Sequence, residues 1–343
     1  MKPIAVSIRA AFRSKWPNNN LTICLAEHLQ ENAINVKKTT HFLPADIISE
    51  VRSKSQRRQN AVQELWEQLE TAMINAVYGS NMVETAGTSL DITINLCRAV
   101  FRGQDVSADI GEQDPTYAAH LQALVNQTRN ADKDAVIESR ADVINHAKAF
   151  NYMVERVVLN DEVISEEMIR ETHRILAAGM RGHDDLILGE YRTHDVAIRY
   201  KNGKTSRTMG HKYVPQKMAQ MVANLAHEIS VANEAGQLDP YTLAARYHQV
   251  FVFIHPFADG NGRVSRIILN TLLLKFAGHI CVIGLTKEDQ EAYLAEVTKG
   301  CKKYHLEDDE VEHDQQKAHF KFAGFVLDMS MNSLCEMVHW LAE

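Results

Sequence analysis

Apolar residues recur every three or four positions along most of this chain, the period of helices packed on one face. Val62, Leu65, Trp66, Leu69, Met73 and Val77 predict an amphipathic helix reaching about Tyr78, with Gly79-Ser80-Asn81 interrupting it. A second helix is expected from near Asp91, carrying Ile92, Ile94, Leu96, Cys97 and Val100. Residues 103–116 hold two glycines, a proline and several acids and read as a loop; helices follow at roughly 116–128 and 134–157. Ser165 is placed to cap a further helix, with Glu166 and Glu167 complementing its dipole and Gly179 stopping it.

The helical period lapses over 180–215, where Val196–Tyr200 followed by Lys201-Asn202-Gly203 reads as a strand entering a hairpin turn. Asp239-Pro240 is an N-cap with proline at the first helical position, launching Tyr241 to Ile254. Ile267, Ile268 and Leu272–Leu274 mark a buried helix that Gly278 can end, and Thr286 caps another running to about Gly300. Residues 302–317 form a charged connector, and one last amphipathic helix carries Phe322, Phe325, Val326, Met329, Leu334, Met337, Val338 and Leu341. The expected fold class is all-α with one short β-hairpin.

Composition narrows this little: 45% hydrophobic and 24% charged residues are ordinary for a soluble globular chain of 343 residues. A net charge of −7 argues against a nucleic-acid partner, which calls for a basic surface. Five scattered cysteines without a Cys-x-x-Cys pair read as free thiols in a reducing compartment, so a cytoplasmic or nuclear location is expected. Residues 1–25 lack a continuous apolar stretch, yet Ile4, Ile8, Phe12 and Trp16 sit at helical spacing among basic residues, which leaves an organelle presequence open. The most apolar run, Ile267–Leu285, contains Asn270, Lys275 and His279, so it reads as core and no membrane partner is expected.

The chemistry concentrates in His255-Pro-Phe257-Ala-Asp259-Gly260-Asn261-Gly262-Arg263-Val-Ser-Arg266. Gly260-Asn261-Gly262 lies where a loop turns into a helix, so unpaired first-turn N–H groups and the helix dipole make a phosphate cradle. Arg263 and Arg266 are three apart and share a face, and guanidinium forks suit phosphate oxygens. Asp259 is a hard oxygen ligand, and one carboxylate with substrate phosphates is a usual arrangement for magnesium. His255 has the near-neutral pKa of a base that takes a proton from an attacking hydroxyl. Phe257 reads as the apolar anchor of the loop.

Eight of these positions match the signature of the Fic family, His-x-Phe-x-Asp/Glu-Gly-Asn-Gly-Arg-x-x-Arg. Chance would produce all eight with odds on the order of one in a hundred million. The chain thus resembles an autoinhibited Fic-type protein adenylyltransferase, which moves AMP from ATP to a Ser, Thr or Tyr hydroxyl of a target protein. The resemblance implies a Fic-type helical bundle with a β-hairpin flap, His255 as base and Asp259 as Mg2+ ligand. It further implies that Asn261, Gly260 and Gly262 hold the α- and β-phosphates with help from Arg263, while Arg266 meets the γ-phosphate. Leu188-Gly189-Glu190-Tyr191-Arg192 is similar to the approach to the flap, so a target segment would dock on 189–215 by strand addition. Ser80-Asn81-Met82-Val83-Glu84-Thr85 resembles the inhibitory motif Ser/Thr-x-x-x-Glu-Gly/Asn, whose glutamate pairs with the last motif arginine; the pair here is Glu84–Arg266. Thr85 departs from that pattern, and so does Thr298-Lys299-Gly300, where many relatives carry Asn and Gly-Asp near the base.

The expected organisation is an N-terminal region over 1–60 and a helical region over 61–160 with the inhibitory motif at 80–85. A catalytic core over 163–300 follows, then a charged connector and C-terminal helix over 301–343. Homodimer formation, common in the family, is a further expectation. Two other reactions fit the same residues: hydrolysis of an AMP–protein bond using Glu84, and transfer of another nucleotide or phosphate-containing group. A nucleotide-responsive binding module without catalysis is the non-enzymatic rival.

Overall fold

The protein is described by a computed structural model over residues 21–57, 61–180, 186–199, 205–308 and 310–342. It is all-α, as the periodicity implies. The helices are α1 (Gln30–Thr40), α2 (Pro44–Arg57), α3 (Ala61–Val83), α4 (Leu90–Phe101), α5 (Tyr117–Asn126), α6 (Lys133–Met153) and α7 (Glu166–Leu176). They continue with α8 (Val214–Ala235), α9 (Pro240–Ile254), α10 (Asn261–Phe276), α11 (Lys287–Glu307), α12 (Phe320–Met329) and α13 (Met331–Ala342). A wide turn of π-helix, Val154–Leu159, extends α6.

α9 and α10 form the centre. Asp239 caps α9 through bonds from the N–H groups of Tyr241 and Thr242, and Pro240 opens it. All of α10 except Gly262 is buried, so a helix with Arg263, Arg266, Asn270 and Lys275 is nonetheless interior. Buried polar groups persist only where partners meet them, and each of these four is met by a side chain or backbone group. α9 also packs on α8, α11 and α12, while α3 and α6 pack on α10 from the other side. The flap is the antiparallel pair β1 (Ala197–Arg199) and β2 (Thr205–Arg207), in register Ala197↔Arg207 and Arg199↔Thr205.

Four expectations need correction. α3 does not break at Gly79 but runs on to Val83. Gly79 is a point of close approach: a Cβ there would lie 2.2 Å from the Ile283 carbonyl oxygen, and one on Gly284 would lie 2.5 Å from that of Gly79. α11 passes Gly300 and ends at Glu307, shortening the connector, because its buried stripe of Tyr293, Val297, Cys301 and Tyr304 continues. The side chain of Gln249 fills the space beside Gly300. The last helix is two, divided at Ser330, whose hydroxyl bonds back to the Val326 carbonyl at 2.8 Å and bends the chain. Finally, the hairpin is accompanied by a two-residue parallel pairing of Thr22–Ile23 with Gln237–Leu238, too short to leave a period in the sequence.

The expected turn at 201–203 and nearly all of the presequence segment 1–25 lie outside the described residues. Among the described residues the cysteines are free, and no helix is long and apolar enough to cross a membrane.

Candidate active site

The motif begins where α9 stops. His255 takes a left-handed backbone, φ 53°, and its N–H still closes on the Phe251 carbonyl at 2.9 Å. Phe257 is fully buried and stacks on the His173 ring with centroids 3.8 Å apart. Asn261 clamps the loop: its Oδ1 accepts from the Phe257 N–H and its Nδ2 donates to the Phe257 carbonyl, each at 2.9 Å. The Asn261 amide is therefore spent on the loop, and what α10 offers an anion here is backbone. Gly260 sits at φ 78° before the first turn and brings no side chain to cap it. A loop bent this sharply favours glycine at that point.

His173, on α7, ties the motif to the approach to the flap. Its Nδ1 accepts from the Gly189 N–H at 3.0 Å and its Nε2 donates to the Asp259 carbonyl at 3.1 Å. Burial pushes its pKa down to about 4, which keeps the ring neutral and this pair of roles intact. Arg192 completes the brace. Its N–H donates to the Pro256 carbonyl at 2.9 Å, and its Nε to that of His255 at 2.7 Å. Its two Nη atoms reach the carbonyls of His194, Met209 and Ile254, joining both ends of the flap to the loop.

Burial also pushes the His255 imidazole down to about 4, against the raising effect of the Val252 carbonyl, with the Arg192 charge adding to the drop. Nδ1 lies 3.3 Å from that carbonyl, which only accepts, so Nδ1 carries the proton and Nε2 is the basic nitrogen. Asp259 has 40% of its side chain exposed; one oxygen accepts from the Gly260 N–H at 2.7 Å, and the other is 4.0 Å from Arg263. Among the described residues no group of three or more His, Cys, Asp or Glu could hold a metal by itself. That donor set suits magnesium bound by one carboxylate together with substrate phosphates.

Arg263 pairs with Asp142 of α6 at 2.9 Å, and among the described residues no acceptor reaches its buried Nε. Arg266 is more fully held. Nε donates to Ser80 Oγ at 2.7 Å, Nη2 to the Ser80 carbonyl at 3.0 Å and to Glu84 Oε1 at 2.6 Å, and Nη1 to the Tyr293 hydroxyl at 3.0 Å. Ser80 reaches it from the buried stripe that Met73 and Val77 begin on α3, and Glu84 reaches it from just past the end of that helix, with its side chain 37% exposed. The Glu84 carboxylate also lies over the start of α10, where a Cβ on Gly262 would sit 2.3 Å from Oε1. One anion thus already occupies the space between Arg266 and the first turn of α10.

The turn beyond Glu84 is pinned on both sides. The Asn81 carbonyl accepts from Glu84 and Ala86, and its side chain meets His146 at 2.9 Å. The Gly87 N–H donates to Asp142 Oδ2 at 3.0 Å, so one carboxylate links this turn to Arg263. Thr85 is left-handed, φ 58°. That explains why glycine or asparagine suits the position and why a β-branched residue is strained there.

Four residues that the sequence did not single out shape this site: Asp142, His146, His173 and Tyr293. A signal existed for three of them, since Asp142, His146 and His173 are polar side chains on the buried faces of α6 and α7. Tyr293 lies at helical spacing with Val297, Cys301 and Tyr304 and reads only as core.

Residues 163–273 match the model of the Fic/DOC family, so the chain carries a Fic domain. The matched span holds His173, Arg192 and the whole motif and leaves Ser80, Glu84 and Tyr293 outside. A protein adenylyltransferase Fic of Drosophila grimshawi is 26% identical over 277 residues, 80% of this chain and 51% of its own. One of Aedes aegypti is 30% identical over 193 residues, 55% of this chain and 35% of its own. This chain thus spans about half the length of these curated relatives, or less. A Fic domain containing signaling protein of Bacteroides thetaiotaomicron has a TM-score of 0.62 to this structure. It covers 86% of this chain and 96% of its own at 17% identity, a likeness of fold.

Proposed function

We propose that this chain is a protein adenylyltransferase held inactive by its own Glu84. The observation that carries the reading is the Glu84 carboxylate seated between Arg266 and Gly262, where the motif offers its anion site. ATP phosphates would take that place once Glu84 turns away, meeting the first-turn N–H groups of α10, Arg263 and Arg266. Asp259 would hold Mg2+, which supplies charge neutralisation on the phosphates. A target segment would pair with the 189–215 flap, bringing its Ser, Thr or Tyr hydroxyl to His255. Nε2 of His255 takes the hydroxyl proton while the oxygen attacks the α-phosphorus; the bond to the β-phosphate oxygen breaks and pyrophosphate leaves.

A base of this kind contributes about a hundred- to ten-thousand-fold in rate. The bracing of His255 by Arg192, and of its loop by Asn261 and His173, supplies the positioning on which in-line attack depends. Labelled ATP tests the reading. Glu84→Gly should incorporate label from the α-phosphate and none from the γ-phosphate, and adding His255→Ala should abolish it. Retention of the γ-label would replace adenylyl transfer with phosphoryl transfer.

A further inference from the structure

Arg266 makes four hydrogen bonds to three residues, and its partners divide by origin. Ser80 lies on α3 and Glu84 in the turn just after it, both outside the matched Fic span, whereas Tyr293 stands on α11, next to the core. If Glu84 turns away, the guanidinium loses its anion and becomes a long, rotamer-rich side chain inside a site that must receive another. Something has to keep it aimed at the first turn of α10 during that interval.

Tyr293 is built for that task. It is fully buried, its hydroxyl accepts from Arg266 Nη1 at 3.0 Å, and the guanidinium carbon lies 5.3 Å from its ring centroid. The hydroxyl is itself fixed from behind by Nε2 of buried His248, also at 3.0 Å. Phe322 and Phe325 close round the ring. None of these contacts involves Glu84, so they persist when the carboxylate leaves. Ser80 holds the opposite edge of the guanidinium through Nε and one N–H of Nη2, which leaves the Nη2 N–H that Glu84 now takes, on the side facing Gly262, for the incoming ligand.

We propose that Tyr293 is a positioning residue that holds the Arg266 guanidinium at the anion seat once Glu84 has vacated it, and so sets a preference for nucleoside triphosphate over diphosphate. The inference rests on the reading above that Arg266 meets the terminal phosphate of ATP.

The experiment measures ATP and ADP dissociation constants by calorimetry, with magnesium, in Glu84→Gly and in Glu84→Gly/Tyr293→Phe. Phenylalanine keeps the ring and its packing and removes only the hydroxyl. Hydrogen bonds to charged groups are strong enough that the ATP constant should rise about tenfold while the ADP constant moves less than about twofold. The preference for ATP therefore collapses. Glu84→Gly/Val297→Ala, which loosens the same helix without touching Arg266, should lower the melting temperature and keep the preference.

Equal weakening of ATP and ADP in the Tyr293→Phe protein would make the tyrosine merely structural and overturn the proposal. So would an unchanged preference. A Glu84→Gly protein that binds ATP and ADP alike would overturn it for a different reason, by removing Arg266 from the terminal phosphate. Failure of adenylyl transfer itself shows separately, in the labelled-ATP assay.

Discussion

The motif loop and the turn after α3 solve a similar backbone problem in opposite ways. Each holds a non-glycine residue in the left-handed region, His255 at φ 53° and Thr85 at φ 58°. His255 is over-determined: its N–H is bonded to Phe251, its carbonyl to Arg192, and its loop to Asn261 and His173. Thr85 is exposed, and its N–H makes a 3.2 Å bond to the Met82 carbonyl. Strain in a braced loop is a means of fixing geometry. Strain at the exposed Thr85 is held by the bonds of its neighbours, Ala86 to the Asn81 carbonyl and Gly87 to Asp142. The motif loop is thus braced on several sides, and Thr85 carries its strain at an exposed position.

The comparison breaks most severely at its braced end. In the Glu84→Gly background, His255→Ala should lower adenylyl transfer at least about a hundredfold, with an unchanged melting temperature to separate chemistry from folding. Next in size is Glu84→Gly alone. Losing a charged hydrogen bond to Arg266 should raise transfer roughly tenfold or more over wild type, read as the initial rate of label incorporation.

Acid should act on stability before chemistry. His173 and His255 are held at about 4 in the fold, below the roughly 6.5 of an unfolded histidine. Between those values the unfolded chain binds more protons, so stability rises with pH across that window and is lost as pH falls through it. The melting temperature should drop steadily from pH 6.5 to 4, whereas transfer, which needs neutral His255, should fail only near the lower limit. A half-maximal rate near pH 6.5 would place His255 in a more open setting than this one.

The smallest expected effect sharpens the comparison at its strained end. Thr85→Asn puts a residue that tolerates left-handed backbone at φ 58°, relieving on the order of 1 kcal/mol. The inhibitory turn should then be better populated and wild-type transfer should fall about fivefold, as that energy implies. A rate that rises instead would mean that Thr85 itself holds the turn.

Much of this was legible from residues alone where local chemistry and period agree. Asp239-Pro240, Ser165 and Thr286 cap the helices their sequences announce, through bonds to nearby N–H groups. Legibility failed where a residue's reason lies far along the chain. Gly79 looks like a breaker until Ile283 and Gly284 are seen against it, and Gly300 until Gln249 fills the space beside it. The motif named its own twelve residues but not its braces, because His173, Asp142 and Tyr293 come from three other helices at unremarkable spacings. Asn261 is a further case: its type suggested a phosphate ligand, and its amide is instead committed to Phe257.

The most direct test of the central claim is the intact mass of the wild-type and Glu84→Gly proteins after incubation with ATP and magnesium. Removal of the Glu84 carboxylate should let the variant gain the mass of whole adenylyl groups while the wild type gains little or none. Equal gain in both, or none in either with ATP bound, would contradict a site held closed by Glu84.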